Sequence, residues 1–510
     1  MKQYFLVIDA GTGSVRSIIF DTMGNQISIA QYEWNHVAED GIAGSMGFDF
    51  RAGWLLAKKC IKESIAIAKI DAKEIIAVSA SSMREGIVVY DKDKNELWGV
   101  ANVDSRAGDE VAQLKHNHAS MERDFYKTSG QTFALSAAPR LLWLKNNRPS
   151  LYEKATYFTM ISDWILFKLS GELACEPSNA GTAGAFNLST RDWDKEQFSK
   201  CGLKDLFVPV LESGDVLGKI STLASDETGL DNDTLVVMGG GDVQIGTAGL
   251  GANALGDAVV LGGSFWQQVV NFPANAKLSD AMLLRVNPHV VRGMSQAEGI
   301  TFFTGLVIRW FRDSLGGGKS YSELEAMASK VPVGSHGILP IFSDSMKYGE
   351  WIHASPSFVG LGIDPKQYNI GSMFRALEEN ACIVSAINLE NIKAFSGVSP
   401  KSLIFASGAS QGPLWSQILA DVTGLEVKVP VVKEATALGV AMAAGIGAGV
   451  YNSFEDAGKN IVKMERSYQP NLEHFQSYQE IKEKWLKVYA KQMELVREGT
   501  LEPMWKAPGI

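Results

Sequence analysis

Several short segments of this chain set glycine beside residues that can hold an anion or move a proton. In Asp9-Ala10-Gly11-Thr12-Gly13-Ser14 the glycines follow a short apolar run, Tyr4–Ile8. A tight glycine turn at a strand end presents backbone N–H groups at close range, and small residues let phosphate oxygens approach them. Thr12, Gly13 and Ser14 could surround such oxygens, and Arg16 could add a cation. Asp9 could hold Mg²⁺ through water, because that ion keeps several waters and takes one or two carboxylates. The competing explanation is an ordinary hairpin with glycine where φ is positive.

A second segment, Gly239-Gly240-Gly241-Asp242, places a carboxylate at a glycine-rich strand end. Phosphoryl transfer to a hydroxyl needs one carboxylate to orient the nucleophile and take its proton. A turn aspartate capping its own backbone would look the same. Arg84-Glu85 and the loop Asn102–Arg106, which carries Asp104, could each contact substrate hydroxyls or form surface polar groups. In Ser407–Gly412 a glycine corner opens onto Pro413 and helically spaced Leu414, Ile418 and Leu419. Such a corner can lie against adenine and ribose, where a side chain would clash, or it can be a helix-capping turn.

Better-known motifs are excluded. Gly11-x-Gly13 lacks the third glycine of a dinucleotide fingerprint, and a strand follows it rather than a helix. Gly318-Lys319-Ser320 mimics the end of a P-loop, but Asp313 stands where the first glycine is required. Cys60, Cys175, Cys201 and Cys382 are too far apart for a zinc knuckle or a thioredoxin-like motif. Free thiols suggest a reducing compartment. The seven histidines are scattered, and His116 and His118 do not share a helix face.

These segments need elements to hold them. Val15–Phe20 and Gln26–Gln31 continue from Tyr4–Ile8 as an antiparallel meander, and Asp49 caps a helix through Trp54, Cys60 and Ile65. Strand, glycine turn, strand recurs at Ala258–Leu261, Gly262-Gly263-Ser264 and Phe265–Val270. Two halves of about 250 residues that open on the same device imply a duplicated two-domain fold, divided at 1–245 and 246–510. Phe475, Tyr478, Ile481, Trp485 and Val488 predict an amphipathic packing helix.

Composition is that of an ordinary globular chain and excludes a wholly disordered or fibrous one. The 510 residues are 46% hydrophobic and 21% charged, with a formal net charge of −9, which makes nucleic acid or an anionic membrane a poor partner. Ala435–Phe454 is uncharged but mostly Ala and Gly, which predicts an internal helix rather than a membrane span. No secretory signal is legible, so a cytoplasmic location is expected. The 50 glycines exceed the typical share of about 7%, and the clusters above account for much of the excess.

Taken together, the chain resembles the FGGY family of carbohydrate kinases over its whole length. The resemblance rests on DAGTGSVR (9–16), SMREG (82–86), SAAPRLLWL (136–144), GGGD (239–242), LGGSFW (261–266), EGITFFTGLVIRWFRD (298–313), ASGASQGPLWSQILADVTG (406–424) and EATALGVAMAAG (434–445). It implies an α/β fold of the actin-like, ribonuclease-H-like kind, with two domains around an ATP and substrate cleft. It implies ATP and Mg²⁺ as cofactors and a small hydroxylated acceptor, phosphorylated on a primary hydroxyl. Asp242 would be the base. Thr12, Gly13, Ser14 and Arg16 would surround the phosphates from one side and Gly262, Gly263 and Ser264 from the other, with Asp9 near the metal. Gly305 and Arg309 would lie near the nucleotide, Gly408 and Gly412 beside adenine and ribose. Arg84, Glu85, Asp104 and Gln244 would contact the acceptor. The phosphocarrier protein HPr as regulator and a homodimer are also implied.

Three positions depart from the family pattern. Arg140 stands where Lys is usual, Leu135 where glycerol kinases have an aromatic, and Gly263 where a Thr is common. The resulting less polar pocket suits a short five-carbon dione or its hydrate better than a long polyol. A pentulose kinase is the alternative within enzymes. An actin-like or Hsp70-like ATPase without a sugar acceptor, or a silent sugar sensor, is the alternative outside them.

Overall fold

The computed structural model describes residues 2–506 apart from 118–119, 135, 277–281, 347–349 and 433. Leu135 and His118 therefore fall outside the described residues. The predicted meander is present: β1 (Tyr4–Ala10) pairs antiparallel with β2 (Ser14–Asp21), and β2 with β3 (Gln26–Glu33). On its other side β1 pairs in parallel with β4 (Ile75–Ser82). Adding β5 (Val216–Lys219) and β6 (Leu235–Gly241) gives a six-stranded sheet in the order β5-β6-β4-β1-β2-β3.

The second sheet contains β7 (Ala258–Gly262), β8 (Trp266–Pro273), β9 (Arg285–Pro288), β10 (Met294–Thr301), β11 (Ser402–Ala406), β12 (Glu426–Pro430) and β13 (Met464–Tyr468). Its order is β9-β10-β8-β7-β11-β12-β13. Stripped of β9, it repeats the first sheet: a glycine-turn hairpin at the centre, a third antiparallel strand beyond it, two parallel strands on the other side and an antiparallel edge. The duplication read from the two glycine turns is thus a repeat of strand order.

One local reading changes. Gly239–Gly241 does not form a turn after the strand but belongs to β6, with Gly240 and Gly241 paired in parallel with Ser81 and Ser82. The strand is irregular between Val237 and Gly240, and a side chain at Gly239 would collide with the Ala80 carbonyl. Glycine is needed here because two backbones meet without room for Cβ.

Helix α1 (Phe50–Ala68) is capped by Asp49, which accepts from the Arg51 and Ala52 amides. Asp242 opens α2 (Asp242–Gly249). Then come α3 (Thr304–Ser314), α4 (Ile370–Ser396), α5 (Pro413–Thr423), α6 (Ala435–Gly447) and α7 (Leu472–Arg497). Helix α6 is the uncharged run, and Ala437–Gly445 is buried throughout. It packs on α2 and on β1, β4 and β6 of the first sheet. No described helix is long and apolar enough to cross a membrane. Helix α7 lies on α5, with Tyr478, Trp485 and Met493 in the core of the second half.

Candidate active site

The glycines of the second half, Gly262, Gly263, Gly305, Gly408 and Gly412, line one cavity, whereas Gly11–Gly13 and Gly239–Gly241 are in the lining of neither cavity described below. Gly13 has open space where a side chain would go, as does Gly408. At Gly263 the nearest neighbour, the Phe265 carbonyl, lies 3.6 Å from that position. By contrast, a side chain at Gly305 would run into the Gly263 carbonyl, so the start of α3 sits directly on the second glycine turn. The Gly305 amide donates to the Ser264 carbonyl at 3.0 Å.

A cavity of about 570 Å³ is lined by Gly262–Ser264, Gly305, Arg309, Gly408, Ala409, Gln411 and Gly412. It ends against Tyr321, Phe374 and Trp415, an aromatic end fitting a flat base. A second cavity, of about 350 Å³, is lined by the polar residues Glu85, Asn102, Asp104 and Arg140 and by several aromatic rings. The two cavities share the turn Gly262–Phe265: Ser264 faces the first, Phe265 the second.

Asp242 sits at the head of α2 with its side chain 41% exposed, and it is in the lining of neither cavity. The Arg84 Nε is 3.4 Å from Asp242 Oδ1. Protein closes around the cleft, and the loss of bulk water pushes the Asp242 carboxyl up to about 6, against the pull of Arg84. Its own helix holds it, since the Val243 amide donates to Oδ1 at 2.8 Å. The strand before it is held by a relay: Gly241 N–H donates to Ser178 Oγ at 3.0 Å, and Ser178 donates to Glu176 Oε2 at 2.6 Å.

Arg84 and Glu85 are both buried, and neither is a surface pair. Arg84 grips Glu298 of β10 in two hydrogen bonds, while Glu85 pairs with Arg285 of β9 at 2.5 Å. Burial alone would raise the Glu85 carboxyl, but Arg285 and Arg84 hold it below the usual carboxylate range. Glu85 lines the second cavity, so it remains within reach of a small ligand.

Arg140 explains its own departure from Lys. It is 2% exposed and donates to three backbone carbonyls: Glu85 at 2.5 Å, Asn102 at 2.8 Å and Asp104 at 2.7 Å. A planar fork reaches three acceptors at once, which fixes both loops of the polar wall. The Asp104 carboxylate is fully buried and committed to Arg106 and the Met46 amide. Gln244 is also fully buried, donating to Gln296 at 3.2 Å, and lines neither cavity.

In the first glycine turn, Thr12 and Gly13 are exposed, and Thr12 Oγ1 accepts from Asn102 Nδ2 at 3.0 Å. Arg16 is engaged on both sides, with Asp9 and with Glu434 at 2.6 Å. Burial raises the Asp9 carboxyl and Arg16 pulls it back. One Asp9 oxygen is bonded to Arg16, leaving the other available. No cluster of three ligating side chains occurs among the described residues. The donor set is therefore one or two carboxylates, which fits Mg²⁺ completed by phosphate and water and does not fit a protein-caged metal.

Glu298, Arg285, Glu434 and Glu176 escaped sequence reasoning. Glu298 and Glu434 stand at the head of the segments 298–313 and 434–445 that carry the family resemblance, but nothing local marks a carboxylate whose partner is 214 residues away.

Comparison with known proteins gives the context. The model "FGGY family of carbohydrate kinases, N-terminal domain" matches residues 4–249, and its C-terminal counterpart matches 271–448. The chain is 52% identical to the autoinducer-2 kinase of Klebsiella pneumoniae, over 99% of this chain and 97% of that one. Against the autoinducer-2 kinase of Salmonella paratyphi A the figures are 53%, 99% and 98%. Among solved structures, a xylulose kinase from Rhodospirillum rubrum superposes with a TM-score of 0.87 at 21% identity, covering 97% of this chain and all of that one.

Proposed function

This chain belongs to the FGGY family of carbohydrate kinases, with its actin-like α/β fold and ATP as phosphate donor, and from that premise we propose that it phosphorylates autoinducer-2. The acceptor would be 4,5-dihydroxy-2,3-pentanedione or its open hydrated form, and the phosphate would go to the C5 hydroxyl, a step in quorum-sensing signal processing. The observation that carries this reading is the shared turn Gly262–Phe265, which separates a nucleotide-sized cavity from a smaller, half-aromatic one. A phosphoryl group leaving the first enters the second at that turn.

In this reading Asp242 accepts the acceptor's hydroxyl proton as its oxygen bonds to the γ-phosphorus and the bond to ADP breaks. Arg84 keeps Asp242 ionised and aimed. Thr12, Gly13 and Ser14 bind phosphate from one side, and Gly262, Gly263 and Ser264 from the other. Arg16 acts through Asp9, steadying the carboxylate that would hold Mg²⁺ through water. That ion, when bound, neutralises charge on the transferring phosphoryl group. Gly305 and Arg309 line the nucleotide path, and Gly408 and Gly412 flank adenine and ribose. Glu85 contacts the acceptor directly, whereas Asp104 and Gln244, both buried, position the surrounding loops.

The same reading divides the chain at 245/246, places it in the cytoplasm and includes HPr and a second copy of the chain as partners. Incubating the protein with Mg·ATP and a panel of acceptors, with the product identified by mass, tests it. Phosphorylated pentanedione at the highest kcat/KM is expected. A pentulose preferred by kcat/KM would replace the acceptor, and brisk acceptor-independent ATP turnover would replace the reaction class.

A further inference from the structure

The aromatic wall of the acceptor cavity is completed by a residue far in sequence from the glycine turns and from Asp242. Trp505 lines it together with Phe265, Phe302, Phe303 and Trp351. Its ring centroid is 5.5 Å from that of Phe302 and 5.7 Å from that of His353. No helix or long strand carries it. Instead the segment Met504–Lys506 is stitched to Ile352–Ala354: the His353 amide donates to the Trp505 carbonyl at 3.0 Å, the Met504 amide to the Ala354 carbonyl at 3.1 Å, and Ile352 bridges Lys506.

That strip rests in turn on a buried polar platform. The His353 ring pairs with Asp344 and stacks on Phe302 at 4.2 Å, and the Ala354 amide and Tyr489 hydroxyl both donate to Asp344 Oδ2. The Phe302 amide donates to the Asp344 carbonyl at 2.9 Å. Phe302 follows directly on β10, the strand that carries Glu298. The position of Trp505 is therefore tied to the strand that holds Arg84.

We infer that Trp505 is a specificity-determining residue for the acceptor: its ring closes the cavity that Glu85 and Arg140 also line and limits the acceptor to a short, partly apolar chain. The chemistry follows from the two walls. Hydroxyls near Glu85 find polar partners, but a further hydroxyl would be stripped of water against the phenyl rings of Phe265, Phe302 and Phe303, which offer it no hydrogen bond, and against the indole face of Trp505. A ketone-bearing end meets those rings at little penalty, and a longer polyol does not. This inference rests on the acceptor reading of the cavity given above.

The test compares wild type with Trp505→Phe, Trp505→Leu and Trp505→Ala in ADP-release assays. The acceptors are 4,5-dihydroxy-2,3-pentanedione, fructose and sorbitol, with KM for ATP and a thermal melt recorded for each variant. Expected is a graded fall in kcat/KM for the pentanedione, about tenfold or more at Ala, with a matching gain for the six-carbon acceptors relative to it and KM for ATP unchanged. Trp505→Phe should retain most of the discrimination. Should the alanine variant fail to melt cooperatively, the Phe and Leu variants carry the comparison. Unchanged discrimination across folded variants overturns the inference while leaving the function intact. Wild-type turnover that ignores all acceptors removes the acceptor reading first, and the inference with it.

Discussion

Arg84 holds Glu298 with Nη1–Oε2 at 2.6 Å and Nη2–Oε1 at 3.1 Å, so one buried guanidinium joins the segment that follows central strand β4 of the first sheet to β10 of the second. Its Nε stands 3.4 Å from Asp242. The same side chain thus bridges the halves and faces the carboxylate read as the base.

Removing that carboxylate's charge should stop the chemistry and leave the fold. Asp242→Asn is expected to lower kcat by roughly 10²–10⁴ with an unchanged melting temperature. Steady-state turnover with saturating ATP checks it, and near-normal kcat would dismiss Asp242 as the base.

A base works only when deprotonated, so kcat/KM for the acceptor should rise with pH through about 6, where the Asp242 carboxyl titrates. Arg84 lowers that value, hence Arg84→Gln should move the rising limb to higher pH. A pH–rate profile that keeps its acid limb in Arg84→Gln would break the link between the two residues. The variant also leaves Glu298 buried without its partner, a loss of about 3–5 kcal/mol that a denaturant titration would register.

Arg140→Lys tests the carbonyl clamp. A single ammonium cannot span the Glu85, Asn102 and Asp104 carbonyls in one plane, so the polar wall should loosen. KM for the acceptor should rise about tenfold while KM for ATP stays put. Equal changes in both would show a general rather than a local disturbance.

Glu176 offers a stability test with a defined sign. Burial raises its carboxyl from 4.5 to about 8, so the folded state prefers the neutral form. Its contribution is complete below about 4.5 and is lost as pH rises through about 8. Glu176→Gln, always neutral, should show a shallower fall in melting temperature over that window. An identical slope to wild type would mean Glu176 is ionised at neutral pH.

Gly439 and Gly249 mark a crossing of α6 and α2 with no space for Cβ: each would strike backbone of the other helix. Gly439→Ala should destabilise the protein by about 1–3 kcal/mol or more, measured by chemical denaturation, because overpacked backbone has nowhere to relax. A neutral result would mean the helices can part without loss.

The glycine turns stand out in the sequence because their requirement is local. A backbone that must approach a ligand or another backbone has to be glycine, and that shows in one dimension. Gly239 shows the ambiguity: its close approach is to the Ala80 carbonyl of β4, and an approach to a ligand would select the same residue. Arg84-Glu85 read as a pair of neighbours, yet each is claimed by a distant partner, Glu298 and Arg285. Such pairs are chosen by sheet order, which periodicity does not encode. The place of Trp505 in the cavity wall is not legible in the sequence for a related reason: backbone contacts to Ile352–Ala354 set it, and backbone contacts leave no mark on residue type.

Helix α6 is encoded in the second half of the chain, yet it lies beneath β1, β4 and β6 of the first. Glu434, just before it, reaches Arg16. The two halves are therefore threaded through each other and cannot swing apart like covers on a spine. Where α2 and α6 touch backbone to backbone, they form an axle. Opening the mouth of the cleft has to be a rotation about that axle, wide at the rim and almost still at Gly249 and Gly439.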